Sequence, residues 1–260
     1  MTLDYCSVTR EGALTLITLN RPEVLNALHA PAHVELSAVF DDFAADPGQW
    51  VAIVTGAGER AFCTGNDLKY QAQGGDMRRP DSGFGGLTSR FDLDKPVIAA
   101  VNGAAMGGGL ELALACDLIL AASHAVFALP EPRVGTAALA GGVQRLARQI
   151  GQKQAMGMIL TGRRVGAEEG RALGFVNEVV APEELMPAAR RWAGLILECS
   201  PMAVRAAKQA VRRGLDEPTL AAAMAAQRSY PAAAAMFASA DYVEGPRAFA
   251  EKRKPVWQGH

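Results

Sequence analysis

Apolar and polar positions alternate first near the N-terminus. Val8 to Asn20 reads as two short strands turning at Glu11-Gly12. The second, Leu14-Thr-Leu-Ile-Thr-Leu-Asn20, is β-branched and nearly alternating, and Asn20-Arg21-Pro22 stops it. Pro31 to Ala45 predicts a helix. Trp50-Val-Ala-Ile-Val-Thr55 predicts a buried strand ended by Gly56-Ala-Gly58, and Ala61-Phe-Cys63 a short strand before a Gly65-Asn66 turn. Further strands are predicted at Val97–Val101, Leu118–Ala121, Ala125–Leu129 and Phe175–Val180. Helices are predicted at Leu110–Cys116, Leu139–Ile150, Lys153–Leu160, Ala167–Leu173 and Pro182–Cys199. Beyond Pro201 the pattern is wholly helical and Ala-rich. The expectation is an α/β core over residues 1–200 and a helical C-terminal region over 201–260. Single helices between strands favour parallel pairing through right-handed crossovers. No internal repeat of fixed period is visible.

Two stretches break the pattern. Residues 70–87 carry many glycines and no periodicity, which fits a mobile loop beside a site and equally a plain surface linker. Val97 to Ala122 is long and apolar, yet it holds Asn102, Glu111, Asp117 and Gly107-Gly108-Gly109. Mid-span charge is costly in lipid, so the expectation is buried strand, turn, helix and strand rather than a membrane span.

A chain of 260 residues suffices for a sizeable core. The net charge of −1 gives no field that would steer it to nucleic acid or an anionic membrane. Cys6, Cys63, Cys116 and Cys199 are far apart and form no CxxC pair. With no secretory signal at the start, they read as reduced, mostly buried residues of a cytoplasmic protein.

Candidate chemistry centres on Gly65-Asn66-Asp67 and Gly107-Gly108-Gly109-Leu110-Glu111. Each places flexible backbone before a helix start, where free N–H groups carry partial positive charge. Two such donors aimed at one oxygen would form an oxyanion hole. Glu111 lies in an apolar run, where burial should raise its pKa. A structural, salt-bridged glutamate is the alternative. Glu131 is stiffened between Pro130 and Pro132, or it is a surface turn pairing with Arg133. The glycine segments match neither GxGxxG nor a P-loop, and GxSxG and HExxH are absent. His29 and His33 therefore read as solvated helix histidines rather than metal ligands, and no metal site is expected. Arg145, Arg148, Arg190 and Arg191 read as solvent faces, with substrate phosphate contact as the minor alternative. Met156, Met158 and Met236 read as core or subunit contacts.

These segments together resemble the enoyl-CoA hydratase/isomerase (crotonase) family over nearly the whole chain. The matching segments are Asn20-Arg-Pro-Glu-Val-Leu-Asn-Ala-Leu28, Ala61-Phe-Cys-Thr-Gly-Asn-Asp-Leu68, Val101 through Leu112 to Asp117, Pro130-Glu131 with Gly142-Val-Gln-Arg-Leu146, and Glu244 through Arg253. The resemblance implies a ββα spiral core and C-terminal helices that build trimers, often paired into hexamers. It implies that Asn66 and Gly108 are the oxyanion donors and that Glu111 and Glu131 are catalytic. Thr64, Asp67, Leu68 and Lys69 would then bind substrate. The resemblance further implies an acyl-CoA thioester as substrate, with no separate cofactor. The expected reaction is hydration of a trans-2-enoyl-CoA, Glu131 serving the α-carbon and Glu111 the water. The alternatives are a crotonobetainyl-CoA-type hydratase/dehydratase, an isomerase, and a non-catalytic acyl-CoA binder. Most members have Ala-Gly-Ala-Asp where this chain has Thr64-Gly65-Asn66-Asp67, which bears on substrate identity.

Overall fold

A computed structural model describes residues 3–260. β1 (Cys6–Glu11) and β2 (Leu14–Leu19) form an antiparallel hairpin, followed by α1 (Ala30–Ala45). A repeating pattern then sets in: a strand of one sheet, a strand of a second sheet, a helix. The first turn is β3 (Val51–Gly56), β4 (Ala61–Cys63) and α2 (Leu68–Ala72). The second is β5 (Val97–Val101), β6 (Ala104–Met106) and α3 (Gly108–Ala115). The third is β7 (Leu118–Ala122), β8 (Val126–Ala128), α4 (Gly142–Gln149) and α5 (Gln152–Thr161). β9 (Val165–Gly166), α6 (Ala167–Leu173), β10 (Glu178–Val180) and α7 (Leu185–Leu197) close the core. α8 (Pro201–Gly214), α9 (Leu220–Ala226), α10 (Pro231–Ala238) and α11 (Ala240–Ala250) follow.

The larger sheet has the order β1-β2-β3-β5-β7-β10 and is parallel from β2 onward. The smaller is β4-β6-β8-β9, parallel except for β8 with β9. This is the α/β spiral expected, with its strands paired as the crossovers predict. The near-continuous apolar runs of β3 and β5 follow from burial on both faces. Val51, Ile53, Ile98 and Ala100 face α7 through Leu185, Ala188, Ala189 and Ala193. Ala52, Val54, Ala99 and Val101 face the opposite way, into the cluster holding Phe40, Phe62, Leu110 and Phe127. Each such aromatic or leucine side chain contributes roughly 1.5–3 kcal/mol by leaving water.

Several boundaries differ from the sequence expectation. β6 and β9 were not expected, because strands of two or three residues carry too little periodicity to read. α4 begins at Gly142 rather than Leu139, because Gly141 takes φ +103° and breaks the helical path. β10 begins at Glu178, while Phe175 and Val176 turn into the core instead. The helical C-terminus ends at Ala250. Residues 251–260 return along the fold, where Ala240 N donates to His260 O and Gln258 N donates to the Asp241 carboxylate. No helix among the described residues is long and apolar enough to cross a membrane.

Candidate active site

The second sheet places the site, because the chain leaves the ends of β4 and β6 side by side. After β4, Gly65 adopts φ +91°. Leu28 N donates to Gly65 O at 2.8 Å and Asp67 N donates to Leu28 O at 2.9 Å. Those two bonds bracket Asn66, whose own N–H has no carbonyl acceptor among the described residues. Asn26 braces the same segment from below, its amide donating to Ala57 O and Ala61 O. After β6, Gly107 takes φ +54° and donates to Ala128 O at 2.9 Å. Gly108 is the first residue of α3, so its N–H lacks an intrahelical partner. A Cβ on Gly65 would lie 3.1 Å from Gly108 N and 2.9 Å from Met106 O. The two segments therefore touch, and a side chain at Gly65 would wedge them apart.

Two carboxyl groups border this junction. Glu111 is buried, and its Oε1 accepts from Gly142 N at 2.8 Å. It forms no ion pair among the described residues, so the salt-bridged alternative does not hold. Burial raises its pKa, opposed by the hydrogen bond from Gly142. Glu131 opens a short 3-10 turn, Glu131–Val134, directly after β8. Its Oε1 lies 2.8 Å from where a Cβ on Gly107 would sit, and its buried Oε2 has no partner among the described residues. Burial pushes its pKa up to about 7, with the Glu111 charge adding to the rise. Arg133 donates instead to Thr161 O at 3.1 Å, so a Glu131–Arg133 surface pair is not what forms.

Of the remaining candidates, Leu68 and Lys69 are exposed on α2. Thr64 and Asp67 are turned inward. Thr64 Oγ1 donates to Leu25 O at 3.2 Å. Asp67 caps α2 by accepting from Tyr70 N at 3.1 Å, and it pairs with Arg21 at 3.0 Å.

The histidine reading is corrected. His29 and His33 are buried rather than solvated. His29 sits edge-on between Tyr5 and Tyr70. His33 Nδ1 accepts from Gly85 N at 3.0 Å, and its ring packs on Phe84 with centroids 4.6 Å apart. Residues 70–87 are accordingly no plain linker. Phe84 is buried, and its ring occupies the space where a Cβ on Gly108 would fall. Arg79 stands over that ring, 5.3 Å from its centre, and its Nη2 reaches Asn66 Oδ1 at 3.4 Å. Sequence reasoning missed His33, Arg79 and Phe84. The one available signal was Phe84 itself, the single aromatic between Tyr70 and Phe91 in a glycine-rich stretch.

His33 makes a pH prediction. Because Nδ1 accepts a hydrogen bond, the ring is neutral with its proton on Nε2. Burial pulls its pKa down to about 4. The unfolded chain takes up the proton near pH 6.5, so stability is lost as pH falls from about 6.5 to about 4. In urea unfolding, the stability of the protein relative to His33→Gln should fall by up to about 3 kcal/mol as pH drops across that window. A pH-independent difference would contradict the buried neutral ring.

A separate cleft of about 540 Å³ lies between α3, α4 and α8. Three of its arginines are engaged with main-chain carbonyls: Arg90 with Gly86 O, Arg145 with Thr88 O and Arg212 with Leu93 O. Arg145 is thus a largely buried strut, not a solvent-face residue. Arg190 and Arg191 do lie at the surface, paired with Glu11 and Glu178. Cys6, Cys63 and Cys116 are buried and Cys199 is exposed, all as free thiols. Met158 is in the core and Met236 packs on the Ala206–Tyr230–Ala233 cluster, while Met156 is exposed.

The class follows from two interleaved sheets wound as ββα turns, with free main-chain amides and buried carboxyls where the second sheet ends. The chain belongs to the enoyl-CoA hydratase/isomerase family, whose model matches residues 9–260. It is 46% identical over 261 residues to a carnitinyl-CoA dehydratase of Escherichia coli K12, covering 97% of each chain. It is 45% identical over 262 residues to one from Salmonella arizonae, covering 97% and 98%. It is similar to the structure of an enoyl-CoA hydratase from Mycobacterium tuberculosis H37Rv, with a TM-score of 0.92, 38% identity and 98% and 99% coverage. An enoyl-CoA hydratase from Bacillus anthracis matches with a TM-score of 0.90, 36% identity and 99% and 100% coverage.

Proposed function

We propose that this protein is a hydro-lyase that adds water reversibly across the α,β-double bond of a 2-enoyl-CoA thioester. The supporting observation is the junction at Gly65 and Gly108. Two uncommitted amides meet there, flanked by the buried Glu111 carboxyl and the half-buried Glu131 carboxyl, both with pKa values raised by desolvation.

In this reading the thioester oxygen rests on Asn66 N–H and Gly108 N–H. Both bonds strengthen as the oxygen gains charge, which favours the enolate-like transition state over the bound substrate. Glu111, oriented by Gly142 N, takes a proton from the water that attacks Cβ. Glu131, protonated near neutral pH, gives its proton to Cα. Afterwards the proton resides on Glu111 and Glu131 is ionised, which is the correct starting state for the reverse reaction. Thr64 and Asp67 hold the donor loop through their inward bonds, and Leu68 and Lys69 face the CoA moiety.

The active form is thus the singly protonated pair, and its pKa values belong to the pair as a whole. Hydration takes up no net proton, so kcat/KM should follow one bell-shaped pH profile in both directions. Its alkaline limb should fall near pH 7 as Glu131 loses its proton. Following the conjugated-thioester absorbance of crotonyl-CoA tests this directly. No absorbance loss at enzyme concentrations that bind CoA would count against the hydro-lyase reading, and activity flat to pH 9 would refute the Glu131 assignment.

A second reading is supported by the names of the E. coli and Salmonella relatives: dehydration of a carnitinyl-type thioester by the same residues. An isomerase would need one acid–base group, and a bare acyl-CoA binder would need neither carboxyl. We further propose a core over residues 1–200 and an oligomerising region over 201–260. Leu220, Met224, Val243 and Phe249 are exposed apolar residues there, which suits a homotrimer or a hexamer of paired trimers. A cytoplasmic setting, with CoA entering as substrate and with no nucleic-acid or membrane partner, completes the proposal.

A further inference from the structure

The loop over residues 73–83 carries two adjacent arginines with different surroundings. Arg78 is neutralised by Asp76 at 2.8 Å. Arg79 has no acidic partner among the described residues. Its guanidinium lies on the Phe84 ring and touches the Asn66 side chain. Phe84 in turn lies against Gly108. Arg79 therefore touches Asn66 directly and reaches Gly108 only through Phe84, and its positive charge lowers the pKa of both Glu111 and His33. Asn66 accepts from only one of its five N–H groups. A guanidinium seated over an aromatic ring, with most of its N–H groups unengaged by protein acceptors, is matched to a carboxylate, which it binds bidentately. A cation in the same place would meet like-charge repulsion.

We propose that Arg79 selects acyl-CoA substrates whose acyl end carries a carboxylate, over neutral acyl groups and over those ending in a quaternary ammonium such as a carnitinyl thioester. This rests on the hydro-lyase reading of the site. The carboxylate would sit one or two methylenes beyond Cβ, against the free edge of Arg79, with Phe84 behind the guanidinium. The CoA phosphates are the other anions Arg79 could meet, and the test separates the two.

Three thioesters that share a four-carbon 2-enoyl core serve as probes: glutaconyl-CoA (anionic), crotonyl-CoA (neutral) and crotonobetainyl-CoA (cationic). The protein should show the highest kcat/KM on glutaconyl-CoA, exceeding crotonobetainyl-CoA by about 10-fold or more. Arg79→Gln should cut the glutaconyl-to-crotonyl ratio by a similar factor, and Arg79→Glu should favour crotonobetainyl-CoA. Arg78→Gln, altered in the same loop, should leave the ratio in place. A ratio unmoved by Arg79→Gln would overturn the inference. So would an equal loss on all three thioesters, which would assign Arg79 to the CoA phosphates. If none of the three is turned over, the hydro-lyase reading fails, and calorimetric binding of saturated glutaryl-CoA and butyryl-CoA decides. Tighter glutaryl-CoA binding that Arg79→Gln abolishes would uphold the inference, and equal binding would overturn it.

Discussion

Glu131→Gln is expected to lower kcat on an enoyl-CoA substrate by on the order of 10²- to 10⁴-fold. Affinity for a saturated acyl-CoA should stay within about threefold, because an interaction used only in the transition state affects rate and not ground-state binding. The amide keeps the shape of the side chain but cannot pass a proton to Cα. Glu131 Oε2 has no partner among the described residues, so the substitution breaks no internal bond there. Folding should therefore be preserved, and the thermal midpoint serves as a control. The alkaline limb near pH 7 should vanish from the residual activity, because its titrating group is gone. Stopped-flow or steady-state rates beside calorimetric binding check all three points. Parallel losses of rate and affinity would assign Glu131 to binding and remove it from proton transfer.

Gly65→Ala is the second large expected effect. The position has φ +91°, where a Cβ costs roughly 1–2 kcal/mol on conformation alone. The new methyl would also stand 2.9 Å from Met106 O and 3.1 Å from Gly108 N. Backbone on both sides must shift, and that moves the Asn66 amide relative to the Gly108 amide. Losing one oxyanion donor typically costs about 10²- to 10³-fold in kcat, and that is the drop expected here. Gly12→Ala separates strain from displacement. Gly12 has φ +61° in the β1–β2 turn, yet a Cβ there would meet nothing within 4 Å. It should lower stability by a similar conformational amount and leave kcat alone. Equal kcat losses in both variants would mean that Gly65 acts through stability and not through the junction.

Much of this was legible in the residues. Alternating and continuous apolar runs located β1 through β5, because a strand's burial leaves a period-two or unbroken mark. Glycine before a helix start marked the two amide-bearing segments, because only a residue without Cβ fits both the left-handed backbone and the close approach seen at Gly65 and Gly107. A glutamate inside Leu110-Glu111-Leu112 announced itself by its misplaced charge. What the sequence hid was long-range and sideways. His33 is buried because Phe84 and Gly85, some fifty residues later, fold over it. Arg145 looks like a helix-surface arginine until Thr88 O is placed opposite it. The loop over residues 70–87 has no period to read, since its structure comes from Phe84 anchoring on Gly108 and not from local propensity.

The most direct test is a crystal structure of the protein with bound 3-hydroxybutyryl-CoA. The thioester oxygen should lie about 2.7–3.1 Å from both Asn66 N and Gly108 N, with the Glu131 carboxyl facing Cα and Glu111 against the 3-hydroxyl. A thioester oxygen bound away from either amide, or an acyl chain running past the junction with neither carboxyl beside Cα and Cβ, would contradict the proposed chemistry outright.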